Sequence, residues 1–185
     1  MSLTDAHLRR ALANIDATVA GMSAEALAWH QDGRWSSAAI LDHLAKAYGG
    51  TAYILRKCLE DGAPKGRPSS MRQRFFTFVI TRLGWFPTGV KAPAVSEPDG
   101  LGPDEALAAA RRQLTAFDEA AAQCRARFGP RALVANHPLL GGFTVDQWRR
   151  FHRVHTRHHM RQIARLRAAA EGMPQQPTQA EGPRM

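Results

Sequence analysis

A chain of 185 residues, 44% of them hydrophobic, can fill one proper core and is too short for two comfortable domains. No run of about 18 apolar residues occurs, which excludes a transmembrane helix, and His7, Arg9, Arg10 and Asp16 interrupt any signal-peptide core near the N-terminus. The net charge of +9 raises nucleic acid or anionic membranes as partners, while two unrelated cysteines, Cys58 and Cys124, exclude a disulfide framework and point to core packing in the reducing cytoplasm.

Leu8, Leu12, Ile15 and Val19 recur at helical spacing, so a first helix is expected over 4–22 with Thr4 as its N-cap. Ser23 opens a short segment over 24–29, and a turn follows at Asp32-Gly33. Ser36 caps a second long helix that runs to Glu60, with Ile40, Leu44, Ala47, Ile54 and Cys58 on its apolar stripe. Gly62 and Pro64 stop it, one as a left-handed cap and the other as a breaker. Residues 62–70 and 87–103 are rich in Gly, Pro and Ser and read as loops around an apolar-basic segment, 71–85, of about three to four turns.

Pro103 suits the first position of a third long helix, with Asp104 and Glu105 in its first turn and Gly129-Pro130 at its end. Leu107, Leu114, Phe117 and Cys124 mark its apolar face. Residues 133–142 read as irregular, with no convincing strand. Thr144 caps the last long helix, which ends near Gly172, and the Pro/Gln-rich residues 173–185 read as a disordered tail. The expected fold is all-α: an antiparallel four-helix bundle over residues 1–172, with an extra short helix in a basic 65–91 insertion.

Eight histidines are spread along the chain, and helix position separates them. At roughly 100° per residue, His155, His159 and Leu166 lie within about 20° of Trp148 on the last helix, with Gln162 and Ile163 within about 60°. Arg149, Arg150, Arg153, Arg157, Arg161, Arg165 and Arg167 fall on the opposite, broad face, where such residues are commonly just solvated. Two imidazoles at i and i+4 on one face can hold one metal ion, and His43, on the inward stripe of the second helix, offers a third ligand. A lone histidine on an apolar face is more often a hydrogen-bonded core residue than a ligand. By spacing alone, His152 with His155 is a rival pair, and His158 lies about 80° from Trp148. His137 reads as a surface or capping histidine.

The segment from Trp35 through Leu44, W-S-S-A-A-I-L-D-H-L, paired with H-T-R-H-H-M-R-Q from His155 to Gln162, resembles the DinB/YfiT-like superfamily. Its members show a Trp-Ser entry to the second helix, a histidine one to two turns in, and H-x-x-H-H-x-x-Q on the last helix. The lead-in of Asn136-His137-Pro138 and Thr144 to Trp148 resembles a subgroup with an H-P-x-x-G…T-x-x-x-W pattern. The resemblance spans residues 3–170 and implies a three-histidine metal site on His43, His155 and His159. It implies no family-wide catalytic residue beyond these ligands.

The expected ion is zinc or nickel, with ferrous iron as a third candidate, in an open site that leaves positions for water or substrate. Gln162, one turn beyond His159, is placed to hydrogen-bond behind a ligand. These expectations point to a metal-dependent hydrolase or thiol-linked transferase acting on a small molecule. The alternative is a non-catalytic metal-binding or stress-associated bundle that forms homodimers. A third reading takes the 65–91 segment as a contact for anionic surfaces. Nucleic acid is disfavoured as a partner because no helix-turn-helix or aromatic single-strand platform is evident.

Overall fold

The computed structural model describes residues 3–84 and 93–171, most of them helical. Helix α1 (Ala6–Val19) is capped by Asp5, whose carboxylate accepts from the N–H groups of His7 and Leu8. Thr4, expected as that cap, instead gives its N–H and hydroxyl to the carboxylate of Asp118. An anion at the first turn satisfies the orphan amides and the helix dipole together, so Asp5 takes the role.

Helix α2 (Ala24–Ala28) follows Ser23, and α3 (Ser37–Asp61) follows Ser36, whose hydroxyl accepts from Ala39 N–H at 3.1 Å. Gly62 ends α3 at φ 70°, a left-handed conformation that a Cβ would oppose. Helix α4 (Met71–Phe78) opens on a reciprocal Ser70–Gln73 capping box and widens at Val79–Leu83 into a π-helical turn. The rest of the basic segment, with Trp85 and Lys91, lies outside the described residues, as do residues 173–185. A 3-10 turn, Ala94–Ser96, precedes α5 (Pro103–Phe128), which has its proline at the first turn with Asp104 and Glu105. Helix α6 (Val145–Glu171) begins with Thr144 and Gln147 bonding each other's backbone amides.

Residues 133–142 are not wholly irregular. Strand β1 (Ala135–His137) pairs antiparallel with β2 (Gly141–Phe143), in the register Ala135 to Phe143 and His137 to Gly141. Strands of three residues are too short to print a period-two pattern in the sequence. The chain after α3 docks here, with Gly66 N–H on Leu133 O at 2.8 Å and Arg67 N–H on Asn136 Oδ1 at 2.8 Å. Gly142 permits this approach, because a Cβ there would overlap the Arg67 carbonyl.

Helix α3 lies along α5, α1 lies along α6, and α3 also meets α6. One hydrophobic cluster fills the space between them, with Leu8, Ile15, Leu41, Leu44, Leu55, Leu114, Phe117 and Ile163 fully enclosed. Each such side chain contributes about 1.5–3 kcal/mol. On α3 the enclosed stripe runs through Leu44, Tyr48, Leu55 and Cys58, whereas Ala47 and Ile54 are only half-buried. Cys58 and Cys124 are buried thiols that donate to the carbonyls of Val134 and Leu55.

Arg149 departs from the expected solvent face. It is buried, within 3.5–3.7 Å of the carboxylates of Asp5, Asp118 and Asp146. A position about 100° from the stripe centre borders the interface, and here α1 and α5 present acids to it. No described helix is long and apolar enough to cross a membrane.

Candidate metal centre

His43 lies in the second turn of α3, and His155 and His159 lie one turn apart on α6 where the two helices meet. The three rings converge through Nε2: His43 to His155 at 3.2 Å and His159 to His155 at 3.0 Å. All three are buried, and their ligand atoms fall within 4.8 Å of one another. A tetrahedral ion with nitrogen ligands at about 2.0–2.1 Å would hold those nitrogens about 3.3 Å apart. The two spacings across His155 match such a gap, and all three ligand atoms stay within 4.8 Å.

The far sides of two rings fix which nitrogen bears the proton. His43 Nδ1 faces the backbone carbonyl of Ser96 at 2.7 Å, and a carbonyl can only accept, so Nδ1–H donates and Nε2 keeps its lone pair. His159 Nδ1–H donates to Gln162 Oε1 at 2.7 Å, with the same result. The Gln162 amide nitrogen in turn faces His158 Nε2 at 3.2 Å. Carbonyl and amide partners behind imidazoles are the usual means of orienting metal ligands. Burial also keeps the rings neutral. It is the main cause that lowers His43, that pushes His159 down to about 3, and that holds His155 well below the ordinary histidine value. Neutral imidazole is the form that binds a metal.

Asp42 explains how Ser96 comes to be there. Its buried carboxylate accepts from the backbone N–H groups of Asp99, Gly100 and Leu101 at 2.7–3.2 Å, and Lys46 pairs with Asp99 at 2.6 Å. These bonds tie the loop after the 3-10 turn onto α3 beside His43. The sequence held one sign of this, an acid set among the apolar residues of Ala38 to Leu44. The Ser96 carbonyl left no sign, because any residue supplies one.

The rival histidines go elsewhere. His152 is buried between Tyr48, Phe117 and Trp148, with Nε2 3.2 Å from the Thr51 hydroxyl, and stands apart from the cluster. His158 is half-buried behind Gln162. His137 does cap a turn, its Nδ1 accepting from Leu139 N–H at 3.2 Å, but its ring also packs on Phe143 and Phe151 and is not simply at the surface.

Beside the cluster opens a cleft of about 550 Å³ whose wall includes Trp35, Ile40 and Gln162. The Trp35 ring lies 5.2 Å from that of His43, so the tryptophan at the entry to α3 lies against both cleft and cluster.

Comparison with curated proteins and with solved structures returned no match. The DinB superfamily matches residues 7–163, a span that takes in all three histidines and the helices presenting them. The chain belongs to the DinB superfamily.

Proposed function

We propose that this protein is a cytoplasmic four-helix-bundle enzyme, a metal-dependent hydrolase or thiol-linked transferase, with a divalent ion on His43, His155 and His159. Zinc or nickel is the favoured ion and ferrous iron the third candidate. The convergence of three buried Nε2 atoms, with the proton of two rings committed on the far side, is the observation behind this reading.

A divalent ion on three neutral imidazoles would keep positions open for water or a thiolate and, as a Lewis acid, would lower the pKa of that ligand. The protein's own part is to hold the site ready. Ser96 and Gln162 keep the protons on Nδ1, Asp42 fixes the loop behind His43, and Trp35 covers its ring. No acid or histidine lines the cleft among the described residues, so the chain offers binding and orientation there rather than a general base.

Cobalt substitution tests the open position. Imidazole or a small thiol is expected to change the visible spectrum of the cobalt protein. A spectrum indifferent to every small ligand would favour the alternative, a non-catalytic metal-binding or stress-associated bundle that dimerises. That alternative draws support from α4 and the turn after it, which expose Met71, Phe75, Phe78 and Leu83. Sedimentation of the full chain, with and without Phe75→Ser, tests whether this face pairs two copies.

A further inference from the structure

The cleft beside the histidines has two kinds of wall. Trp35, Ile40 and Leu166 make it apolar, and Arg34 and Arg165 place two cations on it. No acidic residue lines it, and neither arginine makes an ion pair among the described residues. Many described arginines also lack a carboxylate partner, and what sets Arg34 and Arg165 apart is that both stand on one concave wall without an acid. Two guanidiniums left without one, over a concave apolar wall, focus a positive field into the cleft and offer forked donors to a carboxylate or phosphate. Trp35 stays 36% exposed at this wall, an apolar area that a bound molecule would cover.

Position along α6 gives the scale. Gln162 holds His159 and also lines the cleft, and Arg165 follows three residues later. At 1.5 Å per residue, Arg165 lies about 9 Å along the helix axis from His159. That is the length of a small organic molecule and too short for a polymer.

We infer that the cleft receives a small organic acid, an apolar body with an anionic carboxylate or phosphonate-like head. The head sits on Arg34 and Arg165, the body lies on Trp35 and Leu166, and the far end points past Gln162 toward the histidines. The role of that far end rests on the metal-centre reading above, whereas binding of the acid does not.

Phenylacetate, phenylphosphonate and the neutral phenylacetamide, titrated into the full chain with and without zinc, test this. The indole N–H signal of Trp35, assigned with Trp35→Phe, reports occupancy by NMR. Both anions are expected to shift that signal and to bind at least about tenfold more tightly than the amide. Arg34→Gln and Arg165→Gln, both at exposed positions, should each weaken the anions about tenfold without changing zinc stoichiometry. Equal affinity for phenylacetate and phenylacetamide, or arginine variants that bind the anions as the parent does, would overturn the inference. Anion selectivity without zinc binding would remove the metal reading and leave the acid cleft. Zinc binding without anion selectivity would do the reverse.

Discussion

His152 and His155 are both buried on α6, yet their surroundings give them different work. The Thr51 hydroxyl donates to Ala47 O and so turns a lone pair toward His152, which makes His152 Nε2–H a donor and a poor ligand. His155 instead meets two rings across Nε2. His155→Ala and His159→Ala are each expected to abolish stoichiometric metal binding with helical content nearly intact, while His152→Ala keeps the metal and loses stability. Metal analysis beside circular dichroism checks this, and the opposite pattern would reassign the pair. Gln162→Ala should weaken binding by about 10–100-fold, since it removes the acceptor that holds the proton on His159 Nδ1. His152 also sets a pH dependence. Burial lowers it to about 3 in the folded state, against 6.5 when unfolded. Above pH 6.5 both states are neutral and it adds no slope. Between about 6.5 and 3 only the unfolded chain takes the proton, so stability falls as pH falls, by at most about 1.4 kcal/mol per pH unit for this one group. Urea titrations of the metal-free chain from pH 7 to 4 should show that loss, reduced by about one proton in His152→Gln. An unchanged slope in the variant would mean that His152 is not held neutral.

Elements differ in how far their origin lies in adjacent residues, and that decides what could be read in advance. Ser23, Ser36, Pro103, Thr144 and Gly62 begin or end helices where the sequence placed them, because caps act within one turn. The inward face of α6 was legible for the same reason, and with it His155, His159 and Gln162. The β1–β2 hairpin was not, since it is held by the loop after α3 from some seventy residues away. Arg149 was misplaced because its burial depends on acids from α1 and α5. The loop behind His43 is the element on which the site depends most. Asp42→Ala would leave three amides without their acceptor, at a cost of about 2–3 kcal/mol. It should also weaken metal binding at least about tenfold, because the Ser96 carbonyl would no longer be fixed behind His43 Nδ1. Asp42→Asn, which keeps one acceptor oxygen, should do less harm to both. Competitive titration against a chromophoric chelator, beside thermal melts, would read the two effects, and a variant with parental metal affinity would show that the loop does not position His43.

At the scale of the molecule, the question is whether the fold needs the ion. The three histidines come from α3 and α6, whereas the apolar core runs from α1 through α5 and the hairpin, with Leu8, Leu55, Phe117 and Phe143 fully enclosed. Burial of that area, not three ligand bonds, is the main source of cohesion. The chain should therefore stay folded and cooperative when chelated, unlike small domains whose metal is the core. Metal still adds stability by mass action. At about a thousandfold excess over its dissociation constant the gain is about 4 kcal/mol, which for a chain of this size raises the midpoint by roughly 8–16 °C. Melts in zinc and in chelator should give two sharp transitions separated by about that interval, with the same helical signal below both. Removing any one of His43, His155 or His159 should collapse the interval toward zero, while the chelated midpoint falls only by what the lost buried packing and the Nε2 contacts at 3.0–3.2 Å contribute. Loss of helical signal on chelation at 25 °C would instead make the ion a structural part of the fold, and the case for an open, reactive site would go with it.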